Sequence, residues 1–289
     1  MSTIASAAPR RGWGLRRTSV IPGFGLTLGF TLSYFSLIIL VPLIALAVRS
    51  AGLGFSGFWH AASDPRVLGS LRVSFVTALI AASINVIFGT LIAWVLVRYR
   101  FTGRRIFDAV IDLPFALPTA VAGIALTAIY APNGAVGALF APLGWRIAYT
   151  PAGIVIAMIF IGLPFVVRTI QPILEEVSHE IEEASATLGA TRFQTITRVI
   201  LPSLLPAILT GFALAFARAV GEYGSIIFIA GNIPFVSEIA PLLIYIRLQE
   251  FNYVGATVIA VVMLLISFAI LLFINLIQAW SRRRYGYGD

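Results

Sequence analysis

The chain has 289 residues, of which 59% are hydrophobic and only 11% charged, against about 25% charged in a typical soluble domain. So little polar surface excludes a water-soluble fold of this size and makes the bilayer the better solvent. The net charge of +8 comes with arginine as the sole basic residue type, in short clusters between apolar runs; that distribution is a topology signal and excludes a nucleic-acid-binding face.

A helix needs about 20 mostly apolar residues to cross roughly 30 Å of hydrocarbon. Six segments qualify, near 24–48, 71–97, 111–131, 151–171, 204–230 and 254–278. The first lies in a charge-free window from Thr18 to Val48. It is far longer than the 7–15 residues, roughly, of a signal-peptide core, so it reads as a retained helix despite Ala45-Leu46-Ala47. The second lies in the charge-free window Val73 to Val97. The third carries Leu113-Pro114-Phe115-Ala116-Leu117-Pro118, whose prolines remove backbone donors and bend a helix, as packing kinks or as a gate. Ala131-Pro132-Asn133-Gly134 and Ala141-Pro142-Leu143-Gly144 spell turns before the fourth. The sixth lies between Phe251 and Ser281. The expected fold is an all-α polytopic membrane protein of six transmembrane helices. It has a tail over 1–23, one membrane domain over 24–279 and a second tail over 280–289.

Arginine placement tests that count. Alternating the connections puts Arg10, Arg11, Arg16, Arg17, Arg98, Arg100, Arg104, Arg105, Arg168, Arg192, Arg198, Arg282, Arg283 and Arg284 on one side, against Arg49, Arg66, Arg146 and Arg247 on the other. This positive-inside bias assigns both tails to the cytoplasm. Trp59, Trp94, Trp145 and Trp280 fall near span ends, as interfacial anchors do.

Between the fourth and fifth spans, residues 175–184 hold Glu175, Glu176, Glu180, Glu182 and Glu183, and apolar residues Ala184, Leu188 and Ala190, with flanking Ile181, repeat at roughly helical spacing. Gly189 takes positive φ readily and is a natural break between two short helices. Thr191-Arg192-Phe193-Gln194 starts the second, and Leu201-Pro202 is expected to end it before span five. An acidic run alone is equally a solvated loop with its charges facing water.

Span five holds Ala217-Arg218-Ala219-Val220-Gly221-Glu222-Tyr223-Gly224-Ser225. An ionised side chain at mid-membrane costs about 2.5–3.5 kcal/mol on insertion scales and so faces a cavity or a partner. Arg218 and Glu222, at i and i+4, can pair on one helix face. The pair is either a lock between helices or part of a solute pathway, where Arg218 attracts an anion and Glu222 limits how tightly it holds. Gly211, Gly221 and Gly224 allow close packing or local unwinding, which exposes backbone N–H groups to an anion. Arg72 is a mouth residue or a snorkelling one. The chain lacks cysteine, and its two histidines, His60 and His179, stand far apart without metal-ligand spacing. No nucleophile stands beside a base and no Gly-rich phosphate loop carries a Lys, so the chain is not expected to hydrolyse ATP or to hold a cofactor.

Glu183-Ala184-Ser185, three residues, Gly189, and then nine residues to Val199-Ile200-Leu201-Pro202 resemble the coupling motif of ABC importer permeases, with Ser185 for the second Ala and Val199 for the usual Ile. Further stretches carry the likeness: Arg98-Tyr99-Arg100-Phe101-Thr102-Gly103-Arg104-Arg105, Asp112-Leu113-Pro114, span five from Ala215-Phe216 on to Ser225, Phe228-Ile229-Ala230-Gly231-Asn232-Ile233-Pro234, and Glu238-Ile239-Ala240-Pro241-Leu242-Leu243. Together these resemble the T-type permease subunit of bacterial sulfate/thiosulfate importers. The resemblance implies an ABC importer type I permease fold in the inner membrane. It implies a second homologous permease subunit, two copies of a cytoplasmic ATPase and a periplasmic sulfate-binding protein as partners. It also implies an ATPase-docking helix in which Glu183, Ala184 and Gly189 are central and Leu188 and Phe193 make apolar contacts. A solute pathway beside Arg218, Gly221, Glu222, Gly224 and Ser225 is the accompanying expectation. Molybdate or tungstate uptake through a homodimer is the alternative within this class. An ion-gradient-driven anion transporter is the alternative outside it, weakened because Glu222 stands nearly alone among acids within the spans.

Overall fold

The computed structural model describes residues 24–284, with side chains through residue 279, and every regular element among them is helical. In chain order these are α1 (Phe24–Ala51), α2 (Gly54–Ala62), α3 (Pro65–Arg98), α4 (Arg104–Ile111), α5 (Leu113–Ala116), α6 (Thr119–Tyr130) and α7 (Gly137–Phe140). They continue with α8 (Pro151–Glu176), α9 (His179–Thr187), α10 (Arg192–Val220), α11 (Ile226–Ile229), α12 (Ala240–Gln249) and α13 (Tyr253–Arg284). Five of them, α1, α3, α8, α10 and α13, are long and apolar enough to cross a membrane. The expected tail over 1–23 lies outside the described residues, as do residues 285–289 and the side chains of Trp280 and Arg282 to Arg284.

The predicted third span is discontinuous. After α5 the chain is extended at Leu117 (φ −86°, ψ 133°), and α6 then runs for only 12 residues. Leu117 precedes Pro118, and the proline ring expels its predecessor from the helical region. The two prolines therefore interrupt the helix, where sequence reasoning expects a bend. The predicted fifth span is shifted as well. Leu201-Pro202 does not end a short helix, because helix runs unbroken from Arg192 to Val220 through a π turn at Ile196–Ile200. In that turn Leu201 N–H reaches back five residues to Ile196 O, which widens the backbone before a residue that has no N–H and would crowd an ordinary turn. At 29 residues, about 43 Å at 1.5 Å rise, α10 is already long enough to cross a bilayer. The chain then turns at 221–225 into α11 instead of continuing to 230. Helix α12, which sequence reasoning missed, packs on α3 and α13.

The described residues fall into two compact units, 24–48 and 49–284. The described part of the first unit is an apolar helix with its large side chains exposed, from Phe24 and Leu26 to Ile44 and Val48.

The centre of the second unit is a bundle of α3, α8 and α10. Helix α3 starts where Asp64 accepts a hydrogen bond from Arg66 N–H (2.8 Å), with Pro65 at the first helical position. Small residues let the three backbones approach. A Cβ on Gly89 would lie 2.8 Å from Val166 Cγ1, and one on Gly211 would lie 3.1 Å from Val166 Cα, so Val166 of α8 sits between glycines of both neighbours. In a bilayer the lipid is as apolar as the helices, so this close van der Waals fit, not hydrophobicity, holds them together. Four residues along, Asn85 of α3 lies against Gly162 of α8; it is 1% exposed and its amide has no hydrogen-bond partner among the described residues. The pairs 85/162 and 89/166 make α3 and α8 parallel, and α10 runs antiparallel to both. At one end of the bundle all three helices meet residues 177–200.

Candidate functional site

At that end α8 stops at Val177 and α9 begins at once. Ser178 is extended (φ −65°, ψ 145°), and Glu180 and Glu182 sit in the first turn, where carboxylates complement the helix dipole. The helix ends in a Schellman motif: Ala190 N–H donates to Ser185 O (3.0 Å) and Gly189 N–H to Ala186 O (3.0 Å). That motif needs a left-handed residue after the cap, and Gly189 supplies it at φ +81°. Two residues later Thr191 opens α10 with a reciprocal capping box. Thr191 N–H donates to Gln194 Oε1 (2.8 Å) and Gln194 N–H to Thr191 Oγ1 (3.3 Å). The break at Gly189 and the restart at Thr191 therefore stand as the sequence predicts.

Exposure sorts the predicted residues on this segment. Glu183 and Ala184 are exposed, and Leu188 and Phe193 are 88% and 74% exposed, large apolar side chains with no cover on a polar hairpin. Ser185 faces inward and donates to Ile181 O (2.6 Å), so the departure from Ala is absorbed within the helix. Beside the hairpin a cleft of about 560 Å³ is lined by Trp94, Arg98, His179, Glu182, Glu183 and Arg192, among others.

Two arginines that sequence reasoning counted toward topology, without foreseeing their pairing, tie this end together. Arg168 of α8 grips Asp112 with two bonds (Nε to Oδ1 2.8 Å, Nη2 to Oδ2 2.6 Å) and donates to Asp108 Oδ1 (2.6 Å), fixing the amphipathic α4 to α8. Asp108 and Asp112, four apart beside an apolar run, were the available signal. Arg98 at the end of α3 contacts Val177 O (3.0 Å) and Glu182 Oε1 (2.9 Å).

Deeper in the bundle, the structure brings Arg218, Gly221, Glu222, Gly224 and Ser225 into one turn. Glu222 is 2% exposed, and both of its oxygens are engaged. Oε2 pairs with Arg218 Nη1 (2.5 Å), while Oε1 accepts from Ser225 N–H (2.9 Å) and Ser225 Oγ (3.1 Å). Gly224 lies so close to Thr119 Oγ1, and Gly123 so close to the Ser225 backbone, that a Cβ on either would collide. The turn is thus clamped between α10 and α6. Gly221, by contrast, is exposed, and a Cβ on it would meet only Ala217 O at an ordinary 3.8 Å. Of the pair, only Arg218 keeps an exposed edge, its side chain being 33% accessible.

At the opposite end of the bundle Arg66 pairs with Glu238 through two bonds (2.8 and 2.7 Å), Glu238 being 1% exposed. This holds the 231–239 segment, in which Asn232 (φ 54°) and Phe235 (φ 64°) take left-handed conformations. Arg72 is exposed beside Phe235 and Val236.

The family of binding-protein-dependent transport system inner membrane components matches residues 85–287. The chain belongs to that family. It is 53% identical over 253 residues to the sulfate transport system permease protein CysT of Synechocystis sp., covering 88% of both chains. It is 47% identical over 265 residues to the protein of that name from Escherichia coli, covering 92% of this chain and 96% of the relative. Among solved structures it superposes on a bacterial alginate ABC transporter in complex with an alginate pentasaccharide-bound periplasmic protein, with TM-score 0.74, 19% identity, and 92% and 96% coverage of the two chains. It also superposes on the inward-facing MetNI methionine ABC transporter, with TM-score 0.58, 15% identity, and 75% and 96% coverage. At those identities the likeness is one of fold, that of an ABC importer permease.

Proposed function

We propose that this chain is the permease subunit of an ATP-driven importer that carries sulfate, and with it thiosulfate, across the inner membrane by alternating access. The observation that carries this reading is the identity of about one half, over nearly the whole length, to permeases named for sulfate transport. That likeness supports sulfate over molybdate or tungstate as the solute. Hydrolysis belongs to a separate ATPase, present in two copies, and the 175–203 hairpin is the segment on which it pushes. The uncovered Leu188 and Phe193 support that assignment, because a polar hairpin has no reason to hold two large apolar side chains in water unless a partner covers them. Glu183 and Ala184 lie on the same accessible segment, and Gly189 provides the bend between its two arms. A homologous second permease and a periplasmic sulfate-binding protein complete the assembly, with both tails of this chain cytoplasmic.

The membrane-embedded turn supports a divided role for the predicted pathway residues. Glu222 and Ser225 hold the turn, and Gly224 lets it approach α6. Arg218 offers its exposed edge to the anion with a charge already half-neutralised by Glu222. A transporter must release what it binds, and a weakened positive charge suits a dianion better than a free one. Uptake of labelled sulfate into proteoliposomes holding the complete complex tests the reading. ATP-dependent uptake suppressed by excess thiosulfate and not by molybdate is expected; uptake of molybdate alone overturns the sulfate assignment.

A further inference from the structure

Arg98 ends α3, and its side chain is only 8% exposed, although Arg100 and Arg105 of the same basic cluster are exposed. It reaches three places at once. Its Nη2 donates to Val177 O (3.0 Å), the residue on which α8 stops, and lies 2.9 Å from Glu182 Oε1 in the first turn of α9. Its guanidinium stands 5.8 Å from the centre of the Trp94 ring. A basic residue needed only for membrane topology keeps its charge in water. This one is turned inward across the joint between α8 and α9.

The chain path makes that contact consequential. Helix α9 is continuous with α8 through Val177 and Ser178, and joins α10 through the bend at Gly189. Helix α3 has no such connection, lying 79 positions before Val177. A push on α9 would otherwise reach α3 only through side-chain packing in the bundle. We infer that Arg98 is a positioning residue for transport: it locks α9 and the end of α8 to α3, so that displacement of the hairpin moves all three together. This rests on the reading of 175–203 as the ATPase-coupling segment. The pair is also able to tighten. The Nη2–Oε1 contact is an ion pair without hydrogen-bond alignment, and Arg98 Nε is buried without a hydrogen bond, so a small tilt of α9 is able to align the pair.

The test uses the whole transporter, this permease with its partner permease, ATPase and sulfate-binding protein, reconstituted in liposomes. Sulfate delivered per ATP hydrolysed is compared for wild type, Arg98→Gln, Arg98→Lys, Glu182→Gln and the exchanged pair Arg98→Glu/Glu182→Arg. For Arg98→Gln and Glu182→Gln the expected result is an assembled complex whose ATPase still turns over while sulfate per ATP falls about ten-fold. Arg98→Lys and the exchanged pair are expected to recover part of that loss. Where Arg98→Gln fails to assemble, Glu182→Gln decides, because it leaves the bond to Val177 in place. An unchanged sulfate-to-ATP ratio in both single variants overturns the inference, as does a fall in uptake matched by an equal fall in hydrolysis. A wild-type complex that hydrolyses ATP without accumulating sulfate would instead refute the transport reading itself.

Discussion

Glu222 is the one acid of the embedded turn, and both of its oxygens are used, one on Arg218 and the other on both donors of Ser225. Removing one member of a buried pair leaves the other charge uncompensated, at a cost of about 3–5 kcal/mol. Because Arg218 is partly accessible, the lower end applies. Glu222→Ala is therefore expected to lower the melting temperature of the detergent-solubilised complex and to reduce uptake. Arg218→Gln leaves the 2%-exposed Glu222 carboxylate with only its Ser225 bonds, so it is expected to lower stability at least as much while also reducing uptake. Equal stability of the Glu222→Ala and wild-type proteins would contradict the structural half of that assignment. Gly189 presents a different residue-scale case. At φ +81° any side chain is strained by roughly 1–2 kcal/mol, and a β-branched one by more. Gly189→Val is expected to insert normally into the membrane yet lose ATP-coupled uptake; unchanged uptake would count against force passing through this bend.

At the scale of elements, prolines show what was legible in the sequence and what was not. The long charge-free windows announced α1, α3 and α13 correctly, because 25 or so apolar residues in a row have few other solutions. An Xaa-Pro step is ambiguous: it can break a helix, bend it, or be absorbed. At Leu117-Pro118 the chain breaks. At Leu201-Pro202 and again at Val41-Pro42, a five-residue π turn, Ile196–Ile200 and Ser36–Leu40, precedes the proline and the helix continues. Nothing in the residues flanking these prolines distinguishes the outcomes, since the extra backbone room comes from the turn as a whole. The embedded turn was half legible. The i,i+4 spacing gave the Arg218–Glu222 pair, but Ser225 as partner of Glu222 depends on the helix stopping at Val220, which tertiary packing against α6 decides. The bundle centre yields its own prediction. Gly89→Leu drives a side chain into Val166, already 2.8 Å from where a Cβ would stand. It is expected to reduce the yield of folded complex on size-exclusion chromatography, while Gly103→Leu, in open space but at φ +90°, tests strain without collision. Equal yields for Gly89→Leu and wild type would argue against close packing as the force holding α3 to α8.

For the molecule as a whole, the arginine distribution and the hairpin argue together. The side that collects most arginines, proposed here as cytoplasmic, is also the one holding residues 175–203, the segment proposed to dock an ATPase. Both proposals read the same face, and Arg192 and Arg198 belong to both. Because the chain has no cysteine, a single introduced thiol reports one position. Ala184→Cys and Leu188→Cys, both on the exposed hairpin, carry a short bifunctional crosslinker in the transporting complex. The account predicts a crosslinked product between this permease and the ATPase, formed from the cytoplasmic face and changing in yield when nucleotide is bound. Complexes that import sulfate while neither thiol ever reaches the ATPase would contradict it.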